Sequence, residues 1–322
     1  MNQTMTPNRI PGQGGVENLA AEITKSGSRQ TYYTFLLLAD RDRREQAFRC
    51  YAYFRWLDDR LDCNSGSRLE KSAFLKHQQE LLEACYRREQ TGDACPEELM
   101  LVELVRDDRE KSSGMQVYLR NMMAVMAFDV ERCGRSITPD ELAEYTRLLA
   151  TAVTEVLFYL IGHHDAPPEG DTRYHAVSGA HMVHMLRDML EDFDVGYYNF
   201  PAAFLTDGPA GSDTFQSLPF RQWVKERAGL ARKYFMTGRE YISRVKNPRC
   251  RLAGFAYLAR FEWMLRLIER DDYRLRADYP ERKSFRALIW IAWRVLASSV
   301  NLPGLSPVRA GQPTLGERGE GR

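Results

Sequence analysis

Apolar residues along this chain recur three and four positions apart, and alternation with a period of two is nearly absent. No run of alternating β-branched residues is bounded by turn dipeptides, so the pattern predicts helices and no strands. Helices are expected over 33–38, 42–62, 68–89, 96–109, 115–132, 138–160, 174–194, 219–245, 249–270 and 283–300. Punctuation supports several ends. Asn64, Ser65, Gly66 and Ser67 break the chain after the second segment. Thr138, Pro139 and Glu141 read as an N-cap, a first-turn proline and the far half of a capping box, and Gly162 closes that helix. The stretch 205–218, rich in Gly, Ser, Asp and Pro, reads as a loop or lid. The sequence therefore predicts a flexible N-terminal tail over 1–27, one all-α domain over 28–302 and a disordered C-terminal tail over 303–322.

Two of these helices carry paired acids. Asp58 and Asp62 are four residues apart, which places both carboxylates on one helical face about one turn from each other. Like charges so placed repel by a few tenths of a kcal/mol. Asp188 and Asp192 repeat the spacing in a segment whose other residues, Met182, Val183, Met185, Leu186, Met189 and Leu190, are apolar. Charges on a buried helix require partners. A hard divalent cation held by carboxylate oxygens answers both pairs at once if the helices face each other. For the first pair alone, a solvated acidic face matched to Arg55 and Arg60 is the simpler account. His181 and His184 fall near the stripe of Asp188 and Asp192, and imidazole favours Mn²⁺, Fe²⁺ or Zn²⁺ over Mg²⁺. The same two residues can equally be hydrogen-bonded core histidines.

The segment from Tyr51 through Arg55, Asp58 and Asp62, preceded by Thr31, Tyr32, Tyr33, Arg43 and Arg44, resembles the first signature of the squalene/phytoene synthase family. Arg187, Asp188, Glu191 and Asp192, followed by Gly196 and Pro201, resemble the second, and 122–129 with Tyr145 falls where that family has its middle region. The resemblance spans roughly 28–300. It implies a single-domain helical bundle around a central apolar cavity and a metal-dependent transferase that ionises and condenses isoprenoid diphosphates through a carbocation. It also implies Asp58, Asp62, Asp188, Asp192 and Arg187 as catalytic residues, and Arg55, Tyr51, Tyr32, Thr154 and Phe261 as substrate-binding ones. Asp58, Asp62, Asp188 and Asp192, with His181 and His184, would ligate the metal. Mg²⁺ is the ion by resemblance, with Mn²⁺, Fe²⁺ or Zn²⁺ admitted by the histidines.

Departures from that pattern bear on mechanism. His181 and His184 replace a glutamine and a metal-binding asparagine, Thr154 replaces a small cavity-lining glycine, and Phe261 replaces a diphosphate-contacting tyrosine. Arg276 is the nearest substitute for a C-terminal arginine. A non-catalytic helical assembly protein of the same fold, or a His/carboxylate metalloenzyme of different chemistry, are the alternatives these changes keep open.

Charge and cysteine usage narrow the partners. With 45 Lys+Arg against 44 Asp+Glu the formal net charge is +1, which gives no electrostatic footprint for nucleic acid. Six cysteines without short spacings fit free thiols and a cytoplasmic location. The longest apolar run, 287–293, is too short to span a bilayer, so membrane contact would be peripheral. The helix over 283–300, with Arg286, Trp290, Trp293 and Arg294, is expected to pack on the bundle, with a membrane surface as its other resting place.

Overall fold

A computed structural model describes residues 13–61, 66–90, 92–205 and 212–299. Twelve α-helices follow one another among the described residues. They are α1 (Gln13–Gly27), α2 (Arg29–Leu38), α3 (Arg44–Leu61), α4 (Arg68–Tyr86), α5 (Pro96–Asp107), α6 (Gly114–Arg132), α7 (Pro139–Leu160), α8 (His175–Asp194), α9 (Ser212–Gln216), α10 (Leu218–Ser243), α11 (Pro248–Arg270) and α12 (Phe285–Ser299). There is no β-strand among the described residues, only a bridge pairing Ser136 with Tyr198. The starts are chemically marked. Ser28, Ser113 and Ser217 accept from backbone N–H groups in the first turns of α2, α6 and α10, Thr138 and Glu141 form the expected capping box of α7, and Asn247 caps α11.

One expectation fails at the N-terminus. The second half of the segment read as a flexible tail is the ordered helix α1, packed on α3. Val16 and Ala20 are buried, and the Thr24 hydroxyl donates to the Ala20 carbonyl at 2.8 Å within reach of the Phe48 carbonyl at 3.3 Å. Val16, Leu19, Ala20, Ile23 and Thr24 make a stripe at helical spacing that the Pro- and Gly-rich start of the chain obscures. In the expected loop over 205–218, α9 forms at one end and seats Phe215 in the core, while residues 206–211 lie outside the described residues, as do Asp62 and the tail over 303–322. The five described cysteines are free thiols; Cys63 lies outside the described residues.

The helices build two apolar cores. One joins α1 to α7 with the N-terminal end of α11, around Tyr53, Leu57, Met100, Leu104, Met115 and Leu119. The other joins α8, α10 and α11 around Val183, Leu186, Phe220, Phe235, Leu258 and Ile268. Close approach between backbones sets the two pairings that matter most for α8. A Cβ on Gly114 at the start of α6 would stand 2.5 Å from the Glu155 carbonyl of α7, and one on Gly238 of α10 would stand 2.6 Å from the Ala176 nitrogen of α8. Glu155 in turn accepts from Arg173 at 2.6 Å and from the Tyr174 hydroxyl at 2.8 Å, tying α7 to the entry of α8.

A second joint links segments far apart in sequence. The buried Asp40 carboxylate, between α2 and α3, accepts from the Gly162 and His163 backbone N–H groups at 2.9 and 3.2 Å, and lies 2.7 Å from His163 Nδ1. Arg249 at the start of α11 donates to its other oxygen. Gly162, at φ +74°, supplies the left-handed turn after α7 that presents these N–H groups. Burial alone would raise the Asp40 pKa, but the hydrogen bonds from His163, Arg249 and Gly162 hold it below its ordinary value of 3.8. That stabilisation is complete above pH 3.8 and is lost as pH falls through the lowered folded-state pKa. Asp40→Ala is expected to lower unfolding free energy by about 2–3 kcal/mol at neutral pH in urea titrations. The gap to the unsubstituted protein should narrow below pH 4; a gap that stays constant down to pH 3 would refute the assigned role.

Candidate active site

Four elements converge on the C-terminal half of α8. The helix itself is buried along Ala180, His181, Met182, Val183, Leu186 and Met189, so the acids beside that stripe enter a low-dielectric setting. Asp188 receives both Arg187 nitrogens, and His184 Nε2 lies 3.0 Å from its Oδ2. Burial pushes the Asp188 carboxyl up, but the hydrogen bonds from His184 and Arg187 outweigh it and hold the pKa well below the usual range. Asp192 is driven the other way. Burial raises it, the neighbouring Asp188 adds to this, Arg132 opposes it, and Asp129 and Glu191 add further, for a value of about 7.

Asp192 is tied to α6 by a relay. Asn199, on the strand-like exit from α8, donates to Asp192 Oδ2 at 2.7 Å and accepts from Arg132 through its own Oδ1. Arg132 donates to Asp129 at 2.7 Å, and the Tyr145 hydroxyl of α7 donates to the other Asp129 oxygen at 3.0 Å. The buried Arg132 guanidinium also lies over the Tyr197 ring at 4.7 Å and the Tyr145 ring at 5.3 Å. Pairing of the α6–α7 link with the α8 exit holds the two ends in register, with Gly134 N–H bonded to the Gly196 carbonyl at 2.8 Å. The charge of Asp58 on α3 is among those that, after burial and Asp129, raise the Tyr145 pKa.

The histidines divide. His181 is fully enclosed, stacks on Tyr145 at 5.1 Å, and its Nδ1 is 3.1 Å from the Thr146 hydroxyl. That hydroxyl donates to the Leu142 carbonyl at 2.8 Å, so it receives the imidazole Nδ1–H and leaves Nε2 as the acceptor nitrogen. Burial, with His184, Arg132 and Arg227 nearby, pulls the His181 pKa to about 3 and keeps it neutral. These are the contacts of a core histidine. His184 is half-exposed and bound to Asp188.

Cations surround the acids. Arg55 pairs with Asp58 at 3.5 Å and with Asp59, as the solvated-face reading of α3 expects. Arg260 of α11 has no carboxylate partner among the described residues; its guanidinium lies 5.5 Å over the Phe261 ring. Burial and the nearby Arg187 lower its pKa, and its field reaches Tyr51 on α3. Arg227 of α10 is also pulled down by burial and close enough to His181 to be felt there. Phe261 is buried between Tyr257, at 5.1 Å, and His184, at 6.4 Å. Tyr32 packs on Phe48 at 5.3 Å beneath Lys25, and the buried Thr154 hydroxyl of α7 has no hydrogen-bond partner among the described residues. Arg276 is engaged with Asp271 at 2.8 Å and Glu281 at 3.1 Å.

Among the described residues no three His, Cys, Asp or Glu side chains are grouped to hold a metal ion. The donor chemistry nonetheless suits a hard dication. Asp188 and Asp192 are oxygen donors one turn apart, the donor type such an ion would take, and burial followed by the charge of Asp188 raises the Asp192 pKa. Sequence reasoning overlooked Asp129, Arg132, Asn199, Arg227 and Arg260. Asp129 and Arg132 carry a weak signal, an oppositely charged pair three residues apart within an apolar helix; the others carry none, since their roles arise only when distant helices meet.

Comparison with known proteins places these features in a family. The family model described as Squalene/phytoene synthase matches residues 24–288. A squalene synthase, HpnC, from Alicyclobacillus acidocaldarius is 20% identical with a TM-score of 0.62, over 81% of this chain and 96% of that one. A dehydrosqualene synthase solved in complex with a ligand is 15% identical with a TM-score of 0.69, over 90% of this chain and 98% of that one. At these identities the structures share the fold with this chain. A search of curated proteins finds no match.

Arg132 is the charge that lets Asp129 and Asp192 remain inside the bundle. Arg132→Met is expected to destabilise the protein by about 3–5 kcal/mol in denaturant titrations, because it leaves buried carboxylates without their cation. Adding Asp129→Asn should restore part of the loss. Equal stability of the single variant and the parent would contradict the relay.

Proposed function

The chain belongs to the squalene/phytoene synthase family, and from that premise we propose that it ionises an allylic isoprenoid diphosphate and joins the resulting carbocation to a second prenyl chain. The observation that supports the reading is Arg260 of α11, a half-buried guanidinium 5.5 Å over the Phe261 ring and without a carboxylate partner among the described residues, whose pKa burial and then the charge of Arg187 lower. Burying like charges together is unfavourable unless an anion joins them. A diphosphate is such an anion, and guanidinium groups match its oxygens. In the proposed reaction the carbon–oxygen bond to diphosphate breaks and its electron pair leaves with the phosphate. The double bond of the second chain then supplies the pair for the new carbon–carbon bond.

Arg187 and Arg260, with Arg55, would hold the departing diphosphate as its charge grows. Phe261, Tyr257 and Tyr51 offer aromatic faces to a cation and exclude water from it. Asp58, Asp188 and Asp192 are the residues that would hold a divalent metal; such an ion supplies charge neutralisation for the leaving group when bound. Asp188 would exchange its contacts with His184 and Arg187 for that role. In this reading the arginine next to Phe261 takes over anion binding from the tyrosine that the family resemblance leads one to expect there.

Incubation with labelled farnesyl or geranylgeranyl diphosphate and Mg²⁺ or Mn²⁺ is expected to release diphosphate. Asp58→Ala or Asp188→Asn should lower that rate by about 10²–10³-fold while the circular-dichroism melting curve stays in place. Arg260→Ala should lower kcat/KM about 10–100-fold, the worth of a charge-assisted hydrogen bond. Activity unchanged by any of the three would remove the residue from the reaction, and no diphosphate release with either ion would favour a non-catalytic protein of this fold. Separately, His184→Asn should shift the preference between Mn²⁺ and Mg²⁺ toward Mg²⁺, measured by metal titration of the purified protein. An unchanged preference would leave His184 as a partner of Asp188 alone.

A further inference from the structure

Helix α12 is apolar on both its inward and its outward side. Its outward stripe, at positions 285, 288, 289, 293 and 296, consists of Phe285, Leu288, Ile289, Trp293 and Leu296, which are 73%, 62%, 53%, 45% and 64% exposed. Its inward side carries Ala287, Val295 packed on the second core, Trp290 beside Trp263, and Arg294, which donates to Glu262 of α11 at 2.9 Å. A helix that only covers a bundle turns its apolar face inward and its charges outward. Five large apolar side chains on one exposed stripe make a patch that calls for an apolar partner.

The rim of this patch identifies the partner. A groove between α11 and α12 is lined by Trp263, Arg266, Arg286, Trp290 and Trp293 among others. Trp263 and Trp290 lie 5.5 Å apart, and the Trp263 indole N–H is buried without an acceptor. Arg266 and Arg286 are exposed and have no carboxylate partner among the described residues. Exposed Arg282 and Lys283 add two further cations just before α12. An apolar stripe, indoles at its edge and a cationic rim match the layered chemistry of an anionic lipid surface, with acyl chains, interface and phosphate in that order. A second copy meeting this face across a two-fold axis would bring the same arginines together. The chain beyond 299 carries Arg309, Arg318 and Arg322 against Glu317 and Glu320, with no acidic surplus to meet them. No helix among the described residues is long and apolar enough to cross a membrane, so the contact is one of lying on the surface.

We propose that α12 lies in the surface of an anionic bilayer, with Phe285, Leu288, Ile289, Trp293 and Leu296 among the acyl chains and Arg266 and Arg286 on lipid phosphates. Helix α11 carries both Arg260 of the candidate site and, further along, Trp263 and Arg266 of the groove. The docking does not depend on the functional reading above.

The test is flotation of the full chain with vesicles of phosphatidylcholine alone or with phosphatidylglycerol added. The expected result is binding to the anionic vesicles that weakens with salt, and much weaker binding to the neutral ones. Leu288→Asp with Ile289→Asp should lower the bound fraction about tenfold on both, and Arg266→Glu with Arg286→Glu about tenfold on the anionic vesicles only. All substituted positions are exposed, so melting curves should be unchanged and diphosphate release in detergent retained. A fluorescence blue shift on adding vesicles that is lost in Trp293→Phe would support insertion of that side chain. Absence of flotation with either vesicle overturns the proposal, whether light scattering then shows a dimer broken by the Leu288/Ile289 variant or a monomer. Flotation that both double variants leave intact overturns it equally.

Discussion

A carboxylate taken out of water needs a cation or a proton, and this bundle buries several of them in one place. Arg132 meets that need for the α6 side of the site. It faces Asp129 directly, reaches Asp192 through Asn199, and spreads its charge over Tyr145 and Tyr197. Asp188 is satisfied locally by Arg187 and His184. What remains is Asp192, which burial and its acidic neighbours leave near a pKa of about 7. Arg260 and Arg227, both lowered in pKa first by burial, have no carboxylate partner among the described residues. On the proposed reading an anionic substrate would supply the missing negative charge.

The helical architecture was legible because its signals are local. The capping box at Thr138, the turn at Gly162 and the prolines in the first turns of α7 and α11 act within a few residues of themselves. The paired aspartates were visible for the same reason, since a spacing of four is a property of one helix. The relay from Tyr145 to Asp192 was not legible, because Asn199 has no motif and gains its role only when the exit of α8 pairs with the link between α6 and α7. Arg260 is the sharper case. Its sequence neighbourhood is that of any amphipathic helix, and its lack of a carboxylate partner among the described residues depends on what the folded neighbours place beside it. The missed helix α1 shows a different failure: a polar, Gly-containing sequence concealed a short apolar stripe that α3 completes.

His181 illustrates how a substitution can be read two ways from sequence and one way from packing. An imidazole three residues from His184 and seven from Asp188 suggests a ligand. Enclosed against Tyr145 and hydrogen-bonded to Thr146, it instead fills the space behind the acidic wall and, staying neutral, adds no charge to it. The wall's electrostatics are then set by carboxylates, arginines and the other histidine, His184, on Asp188.

The Asp40 joint bears on how the polypeptide reaches this state during synthesis. It links a loop near the start of the chain to residues 122 and 209 positions further on. Until α11 emerges, the first core lacks the Cys250 and Ala253 that complete it, and Asp40 lacks the arginine that compensates its burial. Non-local contacts form late because loop closure precedes their reward. The N-terminal helices therefore reach their final stability only when a segment more than two hundred residues further on has been made.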